Sequence, residues 1–185
     1  MTTKLGEGQR CAYTSRYMGQ AYTYIAGISQ NGREVYVKII NSLAARYFSR
    51  QPHLLGVTKE ALLTLDLAEP TVAITIDMGR AIGNTHVVST GEKDSIFYAH
   101  QPKKAINLRF VKNRSMESSQ ELSLVLERDD DGDYEIVNAW VGSLYPPFPD
   151  AADATDESET YWQTHALTEG SEPIDLQTVT TRRPY

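Results

Sequence analysis

The chain has 185 residues, enough for one domain of ordinary size with its own hydrophobic core. Its single cysteine, Cys11, excludes an internal disulfide and any metal site built on cysteine pairs, so neither an oxidising compartment nor a structural zinc ion is expected. The net charge of −6 argues against a general nucleic-acid coat protein.

The N-terminal segment, which begins at Met1, is polar and lacks the apolar stretch of a secretory signal peptide. Nowhere does an apolar run approach the roughly 20 residues that a membrane-spanning helix needs. We therefore expect a soluble, cytoplasmic protein that makes no contact with a membrane.

Residues 19–40 predict a β-hairpin, because two alternating segments flank Asn31-Gly32, a pair that suits the positive φ angles of a type I′ turn. Residues 42–68 change to a helical period. Pro52 falls inside this region, which predicts two short helices rather than one.

The middle of the chain alternates as β-strands do, and Gly, Asn and Asp cluster between the alternating segments. Asp131-Gly132 is a second hairpin signal. The spacing predicts an antiparallel β-meander with strands near residues 71–78, 84–90, 95–100, 105–112, 121–128 and 134–143.

The last predicted element is a helix that begins at Thr155 and continues through Leu167, with acidic residues in its first turn, where the helix dipole favours them. Residues 168–185 are polar, which predicts a flexible tail. The expected fold class is therefore α+β, with an N-terminal hairpin and short helices followed by an antiparallel β-meander sheet and a C-terminal helix. We expect a single domain over residues 1–167.

Positive charge is concentrated in one short segment. Lys103, Lys104, Arg109, Lys112 and Arg114 fall within a dozen residues that contain no acid. Several cations on one strand-sized patch are typical of a surface that binds a phosphate backbone, although a solvated edge strand that resists edge-to-edge pairing has the same composition. Because side chains alternate along a strand, Lys112 and Arg114 are expected on one face and Arg109 on the other.

His165 is the candidate for proton transfer. On the predicted helix it lies one turn from Tyr161 and Trp162, so the imidazole is expected beside aromatic rings. An apolar neighbour or a nearby cation favours the neutral imidazole, which is the form that acts as a base. The alternative is a partly buried histidine that binds a backbone carbonyl and has no catalytic role.

Five strings stand out along residues 71–167: DMGRAIGNT at 77–85, DSIFYA at 94–99, RFVKNR at 109–114, LSLVLERDDDGDYEIVNAWVGSLYPPFP at 122–149 and YWQTHAL at 161–167. In this order they resemble a family of small, largely uncharacterised bacterial and phage-borne proteins. The layout of that family is similar to ribonucleases of the barnase, EndoU, colicin D and RelE type, which use no metal or other cofactor and many of which are toxins.

The resemblance implies a site. Three residues would be catalytic, with His165 transferring protons while Lys112 and Arg114 hold the phosphate. Substrate-binding roles would fall to Arg109, Ser119, Ser123 and Tyr161. The partners implied are RNA and an inhibitory protein. Residues 118–121 depart from the Pro-Thr-Ser type of turn expected there, which puts the role of a hydroxyl at that turn in question.

Two other functions remain open. The fold can serve as a noncatalytic module that binds RNA or protein, or the N-terminal hairpin can serve as a protein-binding surface through Tyr13, Tyr17, Tyr22 and Tyr24. Geometry separates catalysis from binding: we expect His165 within a phosphate's reach of Lys112 and Arg114, and a separation well beyond roughly 10 Å would argue for binding alone or for neither function, because reacting groups must approach hydrogen-bonding distance.

Overall fold

The computed structural model describes residues 13–17, 20–30, 33–39 and 43–185. The predicted Asn31-Gly32 turn and Cys11 lie outside the described residues. Within the described ranges the chain forms these elements in order: β1 Tyr13–Tyr17, β2 Gln20–Gln30, β3 Arg33–Ile39, α1 Leu43–Arg50, α2 His53–Leu62, β4 Thr71–Asp77, β5 Gly83–Thr85, β6 Val87–Ser89, β7 Ile96–Gln101, β8 Ile106–Val111, β9 Glu117–Ser119, β10 Glu121–Arg128, β11 Tyr134–Val141, α3 Asp156–Thr164 and β12 His165–Thr168.

The α+β class is confirmed, and the chain forms two compact units. The first unit holds the residues up to Ile82 together with Gln120–Ser143, and the second unit holds Gly83–Ser119 together with Leu144–Tyr185. None of the helices in the described ranges is long and apolar enough to span a bilayer. The expectation of a single domain over residues 1–167 with a flexible tail stays a prediction.

The first unit contains a six-stranded sheet in the order β1-β2-β3-β11-β10-β4. The two predicted hairpins form, with β2 antiparallel to β3 and β10 antiparallel to β11, while β11 runs parallel to β3. Helices α1 and α2 separate at Pro52 as predicted. Buried side chains of both helices, such as Phe48 and Leu54, share one hydrophobic core with Leu124 and Ile136 of the sheet.

The second unit contains a four-stranded sheet in the order β6-β12-β8-β7 and a separate two-stranded pairing of β5 with β9. Leu108, Phe110 and Leu167 pack with Trp162 of α3, and the side of the sheet that they form is called the α3 side below. Val111 alternates with these residues and packs in a different cluster with Val88 and Ala166.

A continuous antiparallel meander, as predicted, is not what forms. The expected strand 84–90 is divided at His86, so that β5 pairs with β9 and β6 pairs with β12. Strand β12 also runs parallel to β8. Alternation along a segment sets which residues are buried, whereas partners far apart in sequence decide which sheet the segment joins.

The C-terminal helix begins where predicted and ends earlier. Thr155 is its N-cap residue, and the backbone N–H of Thr155 donates to the hydroxyl of Ser158 at 3.0 Å. The helix ends at Thr164, because His165 adopts an extended backbone with φ −127° and ψ 152°. His165 is therefore the first residue of β12, and the prediction that it lies on the helix is wrong. Pairing with β6 and β8 satisfies the backbone hydrogen bonds of this segment once the helix has ended.

Residues 175–180, within the segment predicted as a tail, lie along the edge of β7. Tyr98 and Thr180 exchange two backbone hydrogen bonds of 2.7 and 2.9 Å. The backbone N–H of His100 donates to the Thr178 hydroxyl at 2.8 Å, and the His100 carbonyl accepts from the N–H of Asp175 at 2.9 Å. This segment therefore covers a strand edge that would otherwise present unpaired backbone groups.

Candidate functional site around His165

The His165 imidazole is stacked on Tyr161, the last aromatic ring but one on α3. The ring centroids are 4.0 Å apart and the ring planes differ by 5°. The predicted contact one turn apart is present, because the last turn of the helix places Tyr161 beside the first residue of β12. On its other side Tyr161 meets Trp162 edge to face at 5.2 Å.

Hydrogen bonds fix the protonation pattern of the neutral imidazole. Nδ1 lies 3.1 Å from the backbone oxygen of Tyr161, and since a carbonyl oxygen only accepts, Nδ1 must donate. Nδ1 is also 3.0 Å from the hydroxyl of Thr164. The lone pair of the neutral ring is then on Nε2, which lies 3.4 Å from the hydroxyl of Ser89 on the neighbouring strand β6. Nε2 is thus oriented to accept a proton from a hydroxyl group.

Arg109 lies beside the backbone of His165 and is buried, with 8% of its surface exposed. Its guanidinium donates to the carbonyl oxygen of His165 and, at 3.0 Å, to the hydroxyl of Thr90. Arg109 alternates with Leu108 and Phe110, so its side chain leaves the sheet on the opposite side from the imidazole. Through these contacts Arg109 positions the start of β12. The role that the resemblance implied for Arg109 was substrate binding.

Arg114 is paired with acids. Its guanidinium lies 3.2 Å from Asp94 and 2.6 Å from Glu117. The hydrogen bonds that Arg114 donates, first to Glu117 and then to Asp94, raise the pKa of Arg114 above its ordinary value. The pKa of Asp94 is lowered, first by the hydrogen bond from the backbone N–H of Gly91 and then by Arg114. The positive charge of Arg109 lowers it further. Two carboxylates on one guanidinium leave the cluster with a net negative charge, which does not attract a phosphate.

Lys112 is exposed and lies just past the end of β8. Its ammonium is 5.5 Å from the centroid of the Phe97 ring, which belongs to the core on the α3 side. Leu167 is paired with Phe110, so His165 is level with Leu108. Lys112 is four residues further along, or about 13 Å at a rise of about 3.3 Å per residue. Lys112 and His165 therefore lie on one side of the sheet, and their separation along the strand exceeds the roughly 10 Å expected of groups that share one catalytic site.

The predicted pairing of Lys112 with Arg114 on one strand face does not occur. Strand β8 ends at Val111, and Asn113 has a φ of 55°, in the left-handed region. The chain therefore turns between the two cations, and the alternation rule for strands no longer applies to them.

The two serines lie on strands β9 and β10. Ser119 is on β9 and is paired with Gly83 of β5. Ser123 belongs to the first unit and is fully buried, and its hydroxyl donates to the carbonyl of Gly142 at 2.7 Å and is 2.9 Å from the hydroxyl of Thr75. The contacts of Ser123 are those of a structural hydroxyl that satisfies a buried carbonyl.

Ser89 and Thr90 are the polar neighbours that the sequence did not indicate. Ser89 is the last residue of β6 and Thr90 follows it, and they contact His165 and Arg109, which are 76 and 19 residues away in the chain, respectively. No local motif marks them. The alternation of residues 84–90 was the available signal, and it predicted a strand of an antiparallel meander rather than one paired with the segment that begins at His165.

Among the described residues, no group of three or more His, Cys, Asp or Glu side chains is arranged to hold a metal ion. The tyrosines of the N-terminal strands have side chains outside the described part of the structure, so the protein-binding hypothesis for Tyr13, Tyr17, Tyr22 and Tyr24 stays a hypothesis. No family model, curated protein or solved structure matches the chain.

Proposed function

We propose that the protein is a metal-independent endoribonuclease that binds RNA across the α3 side of the second unit, with His165 as its general base. The observation that carries the proposal is the orientation of the imidazole. Nδ1 is held by the carbonyl of Tyr161, which leaves Nε2 as the proton acceptor beside a hydroxyl group.

The reaction begins when Nε2 takes the proton of a ribose 2′-hydroxyl. The 2′-oxygen then forms a bond to the adjacent phosphorus, the bond from phosphorus to the 5′-oxygen breaks, and the leaving oxygen takes a proton from water. The products are a 2′,3′-cyclic phosphate and a 5′-hydroxyl. In the free protein the hydroxyl that Nε2 meets is that of Ser89, at 3.4 Å. One positioned base contributes about 10²- to 10⁴-fold in rate.

Lys112 is the cation best placed to hold the RNA. It is exposed on the same side as His165, whereas Arg114 is paired with two carboxylates and Arg109 faces the other side. Lys112 lies about 13 Å from His165 along the strand direction. It would therefore bind a neighbouring phosphate and not the one that is cleaved. Because Lys112 is the one cation assigned to the RNA here, we expect weak binding with a shallow dependence on salt.

The test is cleavage of a single-stranded RNA in EDTA by the purified protein and by His165→Ala. We expect fragments that end in cyclic phosphate and a loss of about 10²-fold or more in rate in the variant. His100→Ala is the matched control, since His100 also lies in the second unit and its hydrogen bonds to Thr178 and Asp175 are made by the backbone. Intact RNA with the unmodified protein, or equal cleavage by His165→Ala, would refute the proposal.

A noncatalytic RNA-binding module is the second candidate. The pairing of Arg114 with Asp94 and Glu117 favours it, because it removes one of the two cations expected to stabilise a pentavalent phosphorus. In that case RNA stays intact while its affinity falls with rising salt and with Lys112→Ala. If cleavage is observed, the activity is that of a toxin, and an inhibitory protein partner is expected to cover His165.

A further inference from the structure

A cavity of about 340 Å³ lies in the second unit, and neither His165 nor Lys112 lines it. Its floor is apolar and includes Leu108 and Leu167 of the sheet. Tyr145 and Phe148, from the segment before α3, form an aromatic wall. The size lies within the range of pockets that bind small molecules, about 300 to 1,000 Å³.

The aromatic wall is held rigidly by Trp162. Phe148 is stacked on the indole at 4.0 Å with ring planes 20° apart, and Tyr145 meets it edge to face at 5.5 Å. The indole N–H donates to the carbonyls of Pro146 and Pro147 at 3.0 and 3.1 Å, which fixes the segment that carries both rings. A site that is already formed does not lose affinity to the ordering of its own side chains.

The polar end of the cavity contains an amide and a carboxylate. Gln101 is 4% exposed, and its Nε2 donates to Glu172 at 2.9 Å. That bond fixes which way the amide points, because a carboxylate only accepts. The other atom of the amide, Oε1, is then a buried acceptor, and it has no hydrogen-bond partner among the described residues. Buried acceptors in folded proteins are almost always paired, so an N–H donor is missing here.

The charge at this end is negative. One cation, Lys104, and two carboxylates, Asp153 and Glu172, line the cavity, so its ionisable groups sum to a net negative charge. Burial, and after it the charge of Glu172, raises the pKa of Tyr145 to about 12. An apolar environment with one uncompensated carboxylate favours a cation with hydrogen-bond donors.

We propose that this cavity binds a small organic ammonium ion with an apolar, preferably aromatic, body. The ammonium group donates to Glu172 and, after a small rotation of the amide, to Oε1 of Gln101, while the body lies between the aromatic wall and the leucine floor. Such a ligand supplies both the missing donor and the missing positive charge. The inference does not depend on RNA cleavage, because it rests on different residues.

The test is calorimetric titration of the intact protein with 2-phenylethylamine at pH 7, where the amine is an ammonium ion, and with the uncharged 2-phenylethanol. We expect saturable binding of the amine, at least about 10-fold weaker binding of the alcohol, and a loss of about 10-fold or more in Glu172→Gln. Glu169→Gln is the control, since it removes the same charge from an exposed residue that does not line the cavity. Its affinity should be unchanged.

The proposal is overturned if the amine shows no saturation up to millimolar concentration, if the alcohol binds equally well, or if Glu172→Gln binds as the unmodified protein does. Ala151→Phe decides the question if Glu172→Gln fails to fold. Ala151 lines the cavity, so a phenyl ring there should fill the space and abolish binding. Unchanged binding in that variant would place the amine elsewhere and would also overturn the proposal.

Discussion

Trp162 should be the most sensitive aromatic position of the second unit, and Trp162→Phe measures how much its indole contributes. The residue is 1% exposed, stacks on Phe148 at 4.0 Å and donates its N–H to Pro146 and Pro147. Phenylalanine keeps a ring of similar shape in place of the indole. The substitution removes the indole N–H donor and about a third of the aromatic surface that Trp162 buries.

The expected loss of stability has two parts. Removing the indole donor from two buried carbonyls costs about 1 kcal/mol, and more if water does not replace it. Losing roughly 50 Å² of buried apolar surface at about 25 cal/mol per Å² adds about 1.3 kcal/mol. The free energy of unfolding should therefore fall by about 2 to 3 kcal/mol, a large part of the stability of a small domain.

Urea unfolding followed by far-ultraviolet circular dichroism measures this loss. With a denaturant slope of about 2 kcal/mol per molar, the midpoint should fall by about 1 M or slightly more. Trp140→Phe is the matched control, because Trp140 is half-buried and its indole N–H donates to the carbonyl of Ser143 at 3.0 Å. Its loss should stay near 1 kcal/mol or below. Equal losses in both variants, or a loss under about 0.5 kcal/mol in Trp162→Phe, would refute the reasoning.

Three further outcomes follow from the same contacts. Burial lowers the pKa of His86, although the charge of Glu172 opposes this shift. As pH falls below about 6.5, the unfolded chain therefore binds a proton at His86 before the folded chain does, and the melting temperature declines. His86→Gln should flatten this decline between about pH 7 and 5, and an unchanged profile would contradict the argument. Ser123→Ala should lower the free energy of unfolding by about 1 to 3 kcal/mol and leave RNA affinity unchanged, whereas weaker RNA binding at unchanged stability would return Ser123 to the substrate site. Glu117→Gln releases Arg114 from one carboxylate, so the slope of log affinity for single-stranded RNA against log salt should steepen by up to about 0.7, and an identical slope would argue against RNA contact there.

Local signals predicted the elements that local chemistry determines. Pro52 separates α1 from α2 because proline disfavours a helical interior, and Gly132 adopts a φ of 82° in the hairpin turn before β11. The side chain of Arg109 points away from its neighbours Leu108 and Phe110, as strand alternation indicated. In each case the deciding interaction lies within a few residues of the position itself.

Distant pairing decided what the sequence could not predict. His165 was expected on a helix, because nothing nearby indicates that Ser89 pairs with it across 76 residues. Arg114 was expected to be free for phosphate, because Asp94 is 20 residues away and the turn at Asn113 interrupts the strand. Whether a charged side chain can bind a phosphate depends on such distant partners. The composition of a segment gives the number of charges but not their partners.

The two backbone bonds between Tyr98 and Thr180 have a practical consequence for anyone who shortens the chain. A version that stops after Thr168 would keep every strand of the four-stranded sheet and yet leave the outer rim of β7 without its cover. Such a rim is a template on which another copy can add a strand, so we expect that version to form concentration-dependent oligomers and precipitate, even where its helices and strands are intact.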